Sequence, residues 1–263
     1  MDVKEQLSLF YSNYDEEGRL ASRHGSVEFL TTLRYVERYL QPGMRILEIG
    51  AGTGRYSHYF ARQGYTVDAV ELVEHNIGIF RANTLPDEPV SIMQGNAVDL
   101  HFLSDAHYDI TLLLGPMYHL FTQQEKEAAL QEALRVTKPG GFLCVAYCMA
   151  DAFILNYGFR KGNVFSLIEK GLLDPRTFSV KSAVEEIFEV YNRSGIDTLI
   201  EALPVVRMHF VGTDMYTNYI QDEIDAWDDD IFTQYLAWHF SICERPDMVG
   251  ISHHTLDVLR RKN

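Results

Sequence analysis

The sequence predicts an α/β fold built on a largely parallel sheet. Three observations predict it: short runs of Ile, Leu and Val recur from Arg45 onward, longer amphipathic stretches separate them, and a glycine-rich turn joins the first run to the first helix.

The strands are expected at Arg45 to Ile49, Thr66 to Val70, Val90 to Gln94, Ile110 to Leu114 and Phe142 to Tyr147. Each is almost continuously apolar, as a strand covered on both faces must be. Helices are expected between them, from Arg55 to Gln63 with Gly64 as its stop, from Glu74 to Thr84 and from Thr122 to Val136. Lys138-Pro139-Gly140-Gly141 reads as the turn into the fifth strand. Ahead of these units, Val27, Leu30, Leu33, Tyr35, Val36 and Leu40 keep helical spacing, which predicts a helix over Gly25 to Leu40 that packs on the sheet or caps a pocket. Beyond Tyr147 the pattern loosens. Asp151 to Leu173 reads as helical and aromatic, and Val180 to Asn192 as an amphipathic helix closed by Gly195; together they suggest a lid. Val205 to Val211 and Thr255 to Arg260 read as two further strands, separated by a mostly helical stretch from Asp214 to Ile242.

Length and composition narrow the function classes. The 263 residues suit one domain with insertions, and 46% hydrophobic with 23% charged residues is ordinary for a globular chain. A formal charge of -14 opposes a phosphate backbone, so nucleic acid is not the expected partner. Cys144, Cys148 and Cys243 are too few and too scattered for a disulfide framework or a paired zinc site and read as buried, reduced thiols. The start of the chain has neither the basic residues nor the apolar run of a secretion signal, and no later run approaches ~18 apolar residues, so a cytoplasmic location and no membrane partner are expected.

The chemistry concentrates at Glu48-Ile49-Gly50-Ala51-Gly52-Thr53-Gly54, where a strand ends and a helix begins. Glycines there allow tight backbone turns and close approach of a ligand to the main chain. About twenty residues on, the second strand ends in Glu71, whose carboxylate can accept hydrogen bonds from both hydroxyls of a ribose. Strand, loop, helix, strand and acid in that order imply an adenosine-containing ligand. A dinucleotide fingerprint would require glycine at position 55, which is Arg55; this disfavours a nicotinamide-dependent dehydrogenase.

The spacing ExGxGxG resembles the first motif of the class I, Rossmann-like S-adenosylmethionine methyltransferases, and the resemblance runs from about Pro42 to Met149. Gln94-Gly95-Asn96-Ala97-Val98-Asp99 is similar to the family's segment after the third strand, where Asn96 would offer an acceptor to the adenine amino group and the Ala97 N–H a donor to a ring nitrogen. Tyr108 to Leu120 resembles the fourth strand and its loop, and Arg135 to Gly141 the turn before the fifth. The resemblance implies a three-layer, seven-stranded, mostly parallel sheet with the last strand antiparallel, plus helical cap and lid insertions. It implies S-adenosylmethionine as cofactor, S-adenosylhomocysteine as its product, and Glu48, Gly50, Ala51, Gly52, Gly54, Glu71, Leu72, Asn96, Ala97 and Leu114 as cofactor-binding positions. Residues 23–32 resemble the amino-terminal cap of members that act on small molecules. One domain is expected over 1–263, with cap helices in 1–41, the cofactor core in 42–149, a lid and helix in 150–204, and the late strands with their insertion in 205–263.

Methyl transfer from a sulfonium is an in-line displacement that needs positioning more than a strong base. Where the acceptor must lose a proton, His119 is the expected base, with Tyr118 orienting the acceptor or the sulfonium. Tyr11 and Tyr14 are expected to close over the substrate. His253-His254 and Asp228-Asp229-Asp230 read as a solvated face, and no metal is expected. The expected acceptor is a small molecule and the expected assembly a monomer or homodimer. An RNA methyltransferase and a non-catalytic S-adenosylmethionine-binding partner protein stay open as alternatives, although Gly115-Pro116-Met117-Tyr118 departs from the Asn/Asp-Pro-Pro-Tyr motif used on base amines.

Overall fold

Leu47 and Ile49 point to one side of the first strand and Ile46 to the other, and all three are buried. A strand apolar on both faces must be covered by helices on both, and that requirement organises the molecule. The structure is a computed structural model that describes residues 3–12, 22–183 and 188–263. Its seven strands are β1 (Arg45–Ile49), β2 (Thr66–Glu71), β3 (Val90–Gln94), β4 (Tyr108–Leu113), β5 (Thr137–Cys148), β6 (Val205–Gly212) and β7 (His254–Arg261). They form one sheet in the order β3-β2-β1-β4-β5-β7-β6. β1 to β5 are parallel, and β7 runs antiparallel to both β5 and β6.

The core lies in two layers, one on each side of this sheet. Leu47, Leu113, Leu143 and Val145 pack with Leu130, Leu134 and Ile196 on one face. Ile46, Ile110, Leu112 and Leu256 pack with Phe29, Val36 and Phe60 on the other. The helix Arg23–Val36 starts where Ser22 accepts the Gly25 N–H at 3.0 Å. The helix Gln123–Val136 starts in a reciprocal capping box between Thr122 and Glu125. Asp257, fully buried in β7, is paired through both carboxylate oxygens with Arg207 of β6, which ties the two late strands together.

Three expectations are corrected. The Lys138–Gly141 turn belongs to β5, which begins at Thr137 because Thr137 already pairs with Tyr108. The helical reading of Asp151 to Leu173 breaks into Ala150–Phe153, a π-helical turn over Ile154–Arg160 and Val164–Glu169. The predicted helix from Val180 to Asn192 is not present in its described residues, 180–183 and 188–192. Phe188 and Val190 line a cavity while Tyr191 enters the core, a period of two, and Tyr191 exchanges backbone hydrogen bonds with Cys148 and Ala150 beside the end of β5. The helix begins only at Arg193 and runs to Glu201. Asn192 caps it by accepting the Gly195 N–H at 2.7 Å, so Gly195 opens this helix instead of closing the previous one.

Candidate active site

Parallel strands deliver their carboxyl ends to one edge of the sheet, and a cavity of about 850 Å³ opens there. Its first half is built by the β1 and β2 ends. The Gly50 and Ala51 N–H groups both donate to the Val70 carbonyl, at 2.8 and 3.1 Å, so the loop folds back onto the neighbouring strand. Gly52 then turns in the left-handed region at φ +54, and a Cβ built there meets nothing within 4 Å, which leaves the main chain open to a ligand. Gly54, at φ +94, faces away from the cavity; a Cβ there would lie 2.6 Å from Phe80 Cε2.

Two buried carboxylates flank this loop. Glu71 accepts the Gly52 N–H at 2.9 Å on Oε2, and the Val73 N–H at 2.9 Å and Asn76 Nδ2 at 3.4 Å on Oε1. Burial pushes its carboxyl up, and these donors oppose the rise. Glu48 accepts a short hydrogen bond from the Ser57 hydroxyl. Burial pushes its carboxyl up to about 8 against the pull of Ser57, and nearby Glu71 adds to the rise. Beyond Glu71, Asn96 accepts the Val98 N–H at 3.3 Å on its side-chain oxygen, and Ala97 is buried against the core. Glu48, Gly50, Ala51, Gly52, Glu71, Leu72, Asn96, Ala97 and Leu114 therefore share one cavity.

The second half lies past the end of β4. Pro116–His119 form a 3-10 turn, braced by the Tyr118 carbonyl accepting the Glu189 N–H at 2.6 Å and by the Tyr191 hydroxyl donating to the Met117 carbonyl at 2.9 Å. Tyr118 and His119 line the cavity. His119 Nε2 lies 2.9 Å from the Tyr11 hydroxyl, and its ring also meets Phe188 at 5.4 Å, so the helix Val3–Ser12 reaches the cavity's rim. Tyr14 lies outside the described residues.

The structure corrects the reading of His253-His254 as a solvated face: both are half-buried and line the cavity. Antiparallel β7 is the reason, since its first residue arrives at the edge where the other strands end, and His254 pairs in register with Cys148 of β5. The acid beside them is Asp214, and atoms of Asp214, His253 and His254 all lie within 4.8 Å of one another. Asp228 instead caps the helix Asp229–Ile242 and Asp229 forms an exposed ion pair with Arg23. The three cysteines are buried as expected, and Cys148 borders the cavity.

The family described as a methyltransferase domain matches residues 46–141, which hold the glycine loop, Glu71, the Asn96-Ala97 pair and the β4 end. Residues 46–141 match a methyltransferase domain, whose cofactor is S-adenosylmethionine. Its fit to that cofactor rests on the open backbone at Gly52 and the two buried carboxylates beside it. This methyltransferase domain is 34% identical over 105 residues to a demethylmenaquinone methyltransferase of Renibacterium salmoninarum, covering 40% of this chain and 41% of that one. It is 31% identical over 106 residues to an S-adenosyl-L-methionine-dependent Diels-Alderase of Talaromyces variabilis, covering 39% of this chain and 35% of that one. The match thus spans about two fifths of the length of these curated relatives. The chain superposes on an S-adenosylmethionine-dependent methyltransferase of Thermotoga maritima with a TM-score of 0.60 at 20% identity, over 96% of this chain and 98% of that one, which shows the shared fold. Among the described residues no helix is long and apolar enough to cross a membrane.

Proposed function

We propose that this protein transfers the methyl group of S-adenosylmethionine to a small-molecule acceptor held in the second half of the cavity. The observation that carries the reading is that one continuous cavity joins the glycine loop and Glu71 to the aromatic and polar wall made by Tyr11, Tyr118, His119 and His254. In this reading Glu71 and Leu72 hold the ribose, Asn96 and Ala97 the adenine edge, and Gly50, Ala51, Gly52 and Leu114 the methionine portion. Glu48 faces its ammonium end. Gly54 acts indirectly, by setting the entry into the helix Arg55–Arg62.

The bound cofactor supplies an activated methyl group; the chain supplies alignment and a dry site. Tyr118 orients the acceptor, and Tyr11 with His119 closes one side. Of the histidines that line the cavity, His119 and His254 flank Tyr118 and are the candidates to take a proton from the acceptor. The charge of -14 supports a metabolite over a nucleic acid, and the absence of a spanning helix among the described residues fits a cytoplasmic monomer or homodimer.

The test is to incubate the full chain with methyl-labelled S-adenosylmethionine and panels of quinols, phenols and amines, a demethylmenaquinone among them because relatives act on it by name, with unmethylated transfer RNA as a separate arm. Label in a small molecule supports the reading. Label in RNA alone, or tight cofactor binding with no transfer to any acceptor class, overturns it.

A further inference from the structure

His119 and His254, two of the imidazoles that line the cavity, are held very differently. His119 Nε2 lies 2.9 Å from the hydroxyl of Tyr11, on the rim of the cavity. His254 Nδ1 lies 2.8 Å from Oδ2 of Asp214, a carboxylate only 5% exposed. That carboxylate is itself fixed. Its Oδ1 accepts the Ser252 hydroxyl at 2.6 Å and the N–H groups of His253 and His254 at 2.8 and 3.1 Å, and its Oδ2 also accepts Asn218 Nδ2 at 3.3 Å. With five donors on four lone-pair positions, the acid is built to hold an orientation. The backbone of His254 is pinned as well, since its carbonyl accepts both the N–H and the hydroxyl of Thr213, at 3.0 and 3.1 Å.

This arrangement commits Nδ1 to Asp214, and Cys148 across the strand pair also hydrogen-bonds the ring. With Nδ1 donating to Asp214, the neutral ring carries its lone pair on Nε2, the tautomer a general base requires. The ring lines the cavity and lies 5.7 Å from the ring of Tyr118, in the 3-10 turn that comes after β4. We propose that His254 is the proton acceptor of the reaction and that Asp214 is the residue that positions it. This rests on the methyl-transfer reading above and assigns its base to His254 instead of His119.

The step balances without a co-reactant. The acceptor's lone pair forms the new bond to the methyl carbon, the sulfur–methyl bond breaks with its electron pair left on sulfur, and the acceptor's proton passes to His254 Nε2. The resulting imidazolium is stabilised by Asp214 and returns its proton to solvent when the products leave.

The groups facing His254 fix how it titrates. They are Glu28, with Oε2 at 3.4 Å from Nδ1, Asp214, Cys148 across the strand pair, the His253 ring at 4.5 Å and the Tyr118 ring. Burial would lower its proton affinity, but Glu28, Cys148 and Asp214 hold it well above the ordinary histidine range. A positive sulfonium brought into the same cavity opposes that rise and favours release of the proton.

The full chain, labelled with 15N-histidine, is titrated from about pH 5 to about pH 10 by long-range proton–nitrogen correlation, alone, with S-adenosylmethionine and with S-adenosylhomocysteine. The two ligands differ by the charge at sulfur. The expected result is a His254 ring that carries its proton on Nδ1 when neutral, titrates above about 6.5 in the free protein, and shifts at least threefold in proton affinity between the two ligands. Asp214→Asn lowers that affinity further and scrambles the tautomer. A His254 that is indifferent to the charge at sulfur while His119 responds overturns the proposal, as does a folded Asp214→Asn protein with an unaltered His254 titration. The ligand comparison uses the unmodified protein, so misfolding of the variant leaves it intact. If neither ligand changes any resonance, the cofactor reading itself fails and this assignment falls with it; binding without a His254 response removes the assignment alone.

Discussion

Glu71 accepts the backbone N–H of Gly52 through Oε2 at 2.9 Å, so the acid at the end of β2 fixes the open turn of the glycine loop as well as facing the cavity. Removing it costs both functions. Glu71→Ala is expected to lower affinity for S-adenosylmethionine at least tenfold, on the order of 1.4 kcal/mol, measured by titration calorimetry. Unchanged affinity would remove Glu71 from the proposed ribose site.

Gly54→Ala probes the same loop from behind. A Cβ there sits in the left-handed region against Phe80, so the variant is expected to lose more than about 1 kcal/mol of stability and to weaken cofactor binding, although the residue does not line the cavity. Urea unfolding followed beside cofactor binding checks both effects. A variant as stable as the parent would contradict the strain.

Glu48 gives the pH dependence its sign. Its carboxyl is raised from 4.5 to about 8 in the folded protein, so between those values the folded state holds a proton that the unfolded state has lost. Its contribution to stability is whole below about 4.5 and declines as pH rises to about 8. Glu48→Gln, which mimics the protonated acid, is expected to flatten the fall of Tm over that window in the ligand-free protein. Parallel Tm profiles for the two proteins would show that Glu48 is ionised in the fold.

Tyr11→Phe removes the hydroxyl that meets His119 while keeping the ring contact at 5.8 Å. Amide exchange in Val3–Ser12 is expected to speed up severalfold, with cofactor affinity unaltered. No change in exchange would mean that the hydroxyl does not hold the helix to the cavity.

Most of the sheet was legible because both-faces-buried strands leave unbroken apolar runs, and β1 begins and ends where its run does; β3, a half-exposed edge strand, was legible from its β-branched residues and its bounds. That these residues share one cavity was legible for a related reason: Glu48, the glycine loop, Glu71 and Asn96-Ala97 lie at consecutive strand ends, so order along the chain mirrors order in space. The rest escaped where tertiary pairing overrides local pattern. Residues 188–192 carry apolar side chains at spacings a helix also tolerates, and only the bonds from Tyr191 to the end of β5 decide against it. Asp214 and His254 stand forty positions apart, each beside a strand of its own, with no local sign of the other. One signal was available. A histidine pair placed just before a strand expected to run antiparallel must arrive at the carboxyl edge of the sheet.

The reversal of β7 has a consequence for how such a protein can change its substrate. The strand is locked in register to β5 and β6 along its length and to Arg207 through Asp257, while the segment 213–253 leaves the sheet and returns to it at the same edge. That excursion contributes Asp214, Thr217, Asn218, Gln221 and His253 to the cavity. Both of its ends lie at that edge, so side-chain changes at these five positions would reshape the cavity wall while the strand ladder beneath the glycine loop keeps its pairing.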